Sequence, residues 1–144
     1  MQNDPFDLQR FVTAQASIYL QALAELAAGH KRSHWMWFIF PQIEGLGHSA
    51  MAQRYAIHDR SEAKAYLAHP LLGIRLIECT ETVLRHAGEK SAHAILGSPD
   101  DMKFRSCLTL FAAVSEKGSP FERALQGFYE GEPDRKTVEL LRDQ

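Results

Sequence analysis

The chain has only two cysteines in 144 residues, Cys79 and Cys107, and they form no C-x-x-C pair. This excludes a disulfide scaffold and a cysteine-rich zinc site; both residues read as small apolar groups in a reducing compartment. No excess of one charge exists either: 16 Lys and Arg stand against 18 Asp and Glu, for a net charge of −2. That balance excludes a broadly basic nucleic-acid binder and a polyacidic tail. His30-Lys31-Arg32 is one small basic patch, too little for a nucleic-acid footprint. Long apolar runs are missing; the strongest, Trp35 to Phe40, is far short of the ~20 residues that cross a bilayer. The start, Met1-Gln2-Asn3-Asp4-Pro5, lacks the basic and apolar regions of a signal peptide, so a cytoplasmic protein is expected. H-E-x-x-H, a Walker loop and a G-x-S-x-G elbow are all absent. Seven histidines are present, but only His30 and His34 have ligand-like spacing, and Gly29 ends the helix that would align them. No metal and no cofactor are therefore expected.

What is present is ordinary globular composition, 45% apolar and 24% charged, with helical periodicity almost throughout. Asp4 and Pro5 open a pattern whose apolar face is Leu8, Phe11, Val12, Tyr19, Ala22, Leu23 and Leu26, with Gly29 as its stop. Ser49 caps a short helix through Tyr55, and Ser61 another through Ala68. Pro70 precedes a stripe of Leu72, Leu76, Cys79 and Val83. Ser91 opens a short helix that stops at Gly97. Ser98-Pro99-Asp100-Asp101 starts a helix with Phe104, Cys107, Leu108 and Phe111 inside. Ser119-Pro120-Phe121-Glu122 is a capping box, and Asp134 caps the last helix. Only residues 35–40 look strand-like. The expectation is a single compact all-α multihelical domain of about seven helices, spanning 1–144 with 1–4 flexible.

Three segments carry chemistry. His34-Trp35-Met36-Trp37-Phe38-Ile39-Phe40-Pro41-Gln42 holds both tryptophans. If extended, it points Trp35, Trp37 and Ile39 one way and Met36, Phe38 and Phe40 the other. It serves either as buried core or as a pocket wall whose indoles stack on a planar ligand, framed by the polar His34 and Gln42. Glu44-Gly45-Leu46-Gly47-His48-Ser49 follows. Gly45, Gly47 and Ala50 satisfy G-x-G-x-x-G/A, but a Rossmann reading also needs a second strand and an acidic residue roughly 20 positions on, and the next 20 residues read as helix instead. The glycines either simply turn the chain or aim backbone N–H groups at an anion. On the helix after Pro99, Lys103, Ser106 and Leu110 share a face. The Asp101/Arg105 and Asp100/Lys103 pairs are either surface ion pairs or part of an anion site.

The aromatic string, with Gly45-Leu46-Gly47 and Ser49, resembles an uncharacterised bacterial domain-of-unknown-function family whose members are sometimes mislabelled calpastatin. The resemblance continues through Tyr55, Glu62-Ala63, Tyr66-Leu67, His69-Pro70, Leu72-Gly73 and Arg75-Leu76. It resumes at Ile95, Gly97, Asp100, Lys103, Ser106 and Thr109-Leu110-Phe111. The chain departs from the family at Leu96, where Phe is usual, and at Cys107-Leu108, where Ser-Met is favoured. The calpastatin label does not suit this composition, since that inhibitor is a disordered chain. In layout the family is distantly similar to the NADAR group, all-α proteins tied to NAD and ADP-ribose metabolism, some of them N-glycosidases. No catalytic residue transfers from that likeness.

Two functions remain open. The first is a binder or hydrolase of ADP-ribose-like nucleotides, of N-glycosidase type. Trp35 or Trp37 would stack on the base, with His34, Gln42 and Ser106 beside it. Gly45 and Gly47 would approach phosphate, and Lys103 and Arg105 would offset its charge. Glu44 or Asp101 would assist the departing base or activate water. The second is a non-catalytic protein-interaction domain whose aromatic segment is core or interface. Neither involves nucleic acid or membrane. They part on whether these side chains converge on one concave pocket.

Overall fold

The computed structural model describes residues 3–144, and among the described residues it forms ten helices and a single isolated β-bridge. The helices are α1 (Gln9–Gln15), α2 (Tyr19–Ala28), α3 (Met36–Ile39), α4 (Ala50–Arg54) and α5 (Arg60–Ala68). They continue with α6 (Leu72–Leu84), α7 (Ala92–Leu96), α8 (Asp100–Ala112), α9 (Pro120–Tyr129) and α10 (Arg135–Arg142). The all-α expectation holds. The count exceeds seven partly because the N-terminal pattern divides into α1 and α2, and because the aromatic run adds α3.

The run at 35–40 is thus helical rather than strand-like. Trp35, Met36, Phe38, Ile39 and Phe40 are all buried. A strand there would need a partner to satisfy its backbone. One helical turn instead satisfies it locally, with Ile39 N–H donating to Trp35 O at 3.2 Å and Phe40 N–H to Met36 O at 3.1 Å.

Side-chain caps set five of the ten helix starts. Ser49, Ser91, Ser119 and Asp134 accept from the first-turn N–H groups as the sequence suggests. Glu122 reaches back past the cap residue and accepts from Gly118 N–H at 3.1 Å, so the expected capping box closes one residue early, Ser119 N–H donating to Glu116 O instead. Two starts differ from expectation. Asp59, not Ser61, caps α5, because its carboxylate stands one residue before the helix and accepts from Glu62 N–H at 2.9 Å. Pro99, not Ser98, occupies the cap position of α8. The expectation of a flexible 1–4 falls at Met1 and Gln2 outside the described residues. Asp4 is engaged, accepting from Leu8 N–H at 2.8 Å and Gln9 N–H at 2.9 Å.

The core runs through α6, α8 and α9, with α2 and α5 against α6. Phe11, Tyr66, Phe111 and Phe121 form a chain of ring contacts, and Phe40 meets Phe104 edge-on at 4.8 Å. Cys79 and Cys107 are free and buried within it. Gly73 allows α5 and α6 to meet: a Cβ there would lie 2.0 Å from Leu67 O.

One long-range strap positions the site. Ile57 N–H donates to Gln42 O and Glu44 N–H to Ile57 O, each at 2.8 Å, forming a parallel bridge between Ile43 and Ile57. It fixes the 42–47 loop against the segment leaving α4.

Candidate functional site

Beside this strap lies a cavity of about 260 Å³, walled by α3, the 42–47 loop, α4 and α8. Trp37 supplies its aromatic wall and is the one member of the 35–40 run that keeps an exposed face. Its partner comes from α8: the Lys103 ammonium stands 5.1 Å from the Trp37 ring centroid, a cation–π distance. Asp100, one turn back, lies 3.8 Å from the same ammonium and is itself paired with Lys31 at 2.8 Å. The Gln42 amide donates to Lys103 O at 3.5 Å, tying the loop to α8. Glu44, Gly45 and Gly47 line the mouth.

Both glycines have reasons of their own in this loop. Gly45 has φ 105°, a conformation that favours glycine, and a Cβ on Gly47 would lie 2.6 Å from that of Ala52.

Of the residues singled out from sequence, Trp37, Gln42, Glu44, Gly45, Gly47 and Lys103 therefore meet on one cavity. Five do not join it. Trp35 is fully buried, and its indole N–H donates to Glu25 Oε1 at 3.0 Å. His34 is exposed and is not part of the lining. The Asp101 carboxylate faces His93 at 3.5 Å, and its backbone carbonyl accepts from the Tyr129 hydroxyl. Arg105 lies over Tyr129 and holds Glu132 at 3.5 Å. The buried Ser106 hydroxyl donates to Met102 O at 3.2 Å. Among the other eight lining residues, His48 and Gln53 bring polar side chains that the sequence reading does not single out. The signal available was the Ser49 cap, which places Gln53 one turn on, and there its amide donates to His48 O at 2.9 Å.

Glu25 explains why Trp35 is held in the core. Burial alone would raise this carboxyl's pKa. Hydrogen bonds from the Ser33 hydroxyl, Arg32 N–H, the Gln21 amide and the Trp35 indole outweigh it and hold the pKa at about 2. The Lys31 ammonium stands 4.9 Å from the Trp35 ring centroid, so the Lys31–Asp100 pair links this core anchor to Lys103 in the cavity.

Among the described residues, no group of three or more His, Cys, Asp and Glu is placed to hold a metal ion. No helix there is long and apolar enough to cross a membrane.

Nothing among curated proteins matches the sequence. A solved structure does: the crystal structure, at 1.38 Å, of the conserved hypothetical protein Rv1873 from Mycobacterium tuberculosis. It is 51% identical to this chain with a TM-score of 0.93, covering 96% of this chain and 99% of its own. The family model described as "Protein of unknown function (DUF1810)" matches residues 5–141. The chain belongs to the DUF1810 family of proteins of unknown function.

Proposed function

We propose that the cavity at Trp37 binds a nucleotide of the ADP-ribose class. The observation that carries this reading is the pairing, in the cavity wall, of a partly exposed indole with the Lys103 ammonium 5.1 Å from its ring centroid. An indole face offers a planar base ~1–3 kcal/mol of stacking. Gln42 and Gln53 add amide groups, and Lys103 adds one positive charge. The choice of ligand class follows the resemblance in layout to the NADAR group drawn from the sequence. For a hydrolase of N-glycosidase type, Glu44 is the carboxylate available at the mouth to activate water; Asp101 is engaged elsewhere.

A thermal-shift series with ADP-ribose, NAD and AMP tests binding. Melting should rise with ligand, and Gln42→Ala and Lys103→Ala should reduce the rise with little change in unliganded melting. No rise with any of the three ends the reading. Release of free base from a bound ligand, lost in Glu44→Gln, tests the hydrolase form.

The alternative, a non-catalytic interaction domain, has an observation of its own: Ile74 of α6 is 68% exposed, with Leu71 and Ile77 exposed one turn to either side. The aromatic run itself does not favour it, since all of 35–40 except Trp37 is core.

A further inference from the structure

Resting on that reading of the cavity, we infer that it recognises the nucleoside end of its ligand, base and ribose, and leaves the phosphates outside. Size is the first reason. About 260 Å³ lies just below the ~300–1,000 Å³ of sites that enclose a whole drug-sized ligand, so only part of a dinucleotide-like molecule fits.

Charge is the second. The lining carries one lysine, Lys103, and one glutamate, Glu44, beside an exposed histidine, His48. Asp100 lies 3.8 Å from the Lys103 ammonium and draws on the same charge. Phosphate sites ordinarily gather several cationic side chains or the N–H groups at a helix start. Neither is free here. Arg105, the next cation along α8, is held by Glu132. The adjoining helix, α4, is a five-residue turn whose Ser49 side chain already accepts from Ala52 N–H. The 45–47 loop adds no separate case for phosphate, because φ at Gly45 and the Ala52 contact at Gly47 account for its glycines.

What the lining does hold in quantity is uncharged hydrogen-bonding capacity and one carboxylate. Gln42 and Gln53 each give one amide N–H to a backbone carbonyl, of Lys103 and His48, and the remaining N–H and the amide oxygen of each suit the edge of a base, while the Glu44 carboxylate suits ribose hydroxyls. A diphosphate placed beside Glu44 would instead be repelled. At ~6 Å in water, each such like-charge pair weakens binding by about threefold in Kd.

Calorimetric titrations with adenosine, nicotinamide riboside, AMP and ADP-ribose test this, run at pH 8 to keep histidine charge out of the comparison. The better of the two nucleosides should bind within about threefold of ADP-ribose, and raising the salt should change the ADP-ribose Kd less than about twofold. Glu44→Gln should tighten ADP-ribose by about threefold without tightening either nucleoside. AMP or ADP-ribose binding about tenfold or more tighter than both nucleosides, with marked weakening in salt, would overturn the inference while leaving a nucleotide site intact. Absence of binding by all four compounds would remove the nucleotide reading, and this inference with it. The salt series uses the unaltered protein, so the test stands even if Glu44→Gln folds poorly.

Discussion

The indole N–H of Trp35 donates to the Glu25 carboxylate across 3.0 Å, wholly inside the protein. Two residues later in the chain, Trp37 opens onto the cavity instead. One tryptophan is therefore a fixed core anchor and the other a pocket wall, and the Glu25 contact keeps the first in place.

A pH effect follows from Glu25. Its folded pKa of about 2 lies below the ordinary 4.5, so ionisation favours the folded state. This contribution is fully present above about pH 4.5 and is lost as pH falls through about 2. It amounts to about 3 kcal/mol at most. Urea unfolding at pH 6, 4 and 3 should show stability falling with acid. In Glu25→Gln, stability at pH 6 should be lower by about 2 kcal/mol and the fall between pH 4 and 3 shallower. Parallel pH curves for the two proteins would refute the role given to Glu25.

The second buried carboxylate predicts a larger loss. Glu62 is fully buried and paired with Arg10 at 2.8 Å, and it also takes the His58 imidazole at 2.6 Å. The Arg10 guanidinium donates in addition to the backbone carbonyls of Phe6, Asp7, Arg54 and Ala56. Arg10→Met strands the carboxylate and frees those carbonyls, and should cost about 3–5 kcal/mol. The melting temperature should fall on the order of 10 °C. A fall of only a degree or two would mean the pair is dispensable.

Gly73→Ala tests the close crossing of α5 and α6. The added methyl would lie 2.0 Å from Leu67 O, a backbone atom with no rotamer to yield. The two helices must separate, at a cost of about 3 kcal/mol, readable by denaturant unfolding. Wild-type stability in this variant would show that the helices pack more loosely than described.

Much of the fold was legible because its helix starts are local. Ser49, Ser91, Ser119 and Asp134 cap what they precede. The site was legible only in part, and the tryptophans show why. In a strand, residues two apart share a face; in a helical turn they lie ~200° apart. Reading 35–40 as extended therefore placed Trp35 and Trp37 together, whereas the turn at α3 sends one to Glu25 and the other to the cavity. The same geometry sorts α8. Lys103 reaches the cavity with Asp100 beside it, while Asp101 and Arg105, four apart, share another face with Tyr129. No local pattern fixes which face of α8 meets the 42–47 loop. The loop is placed by the strap between Gln42, Glu44 and Ile57 and joined to α8 by the Gln42 amide on Lys103 O, contacts whose partners are distant in sequence.

The nucleotide reading is tested most directly by tryptophan emission during titration with ADP-ribose, because the protein has only two tryptophans and one is sealed from solvent. The account predicts a saturable change in emission in the unaltered protein. The change should weaken in Lys103→Ala and vanish in Trp37→Phe, where Trp35 is the remaining emitter. A flat titration to about 1 mM, or an equal change in Trp37→Phe, would contradict it.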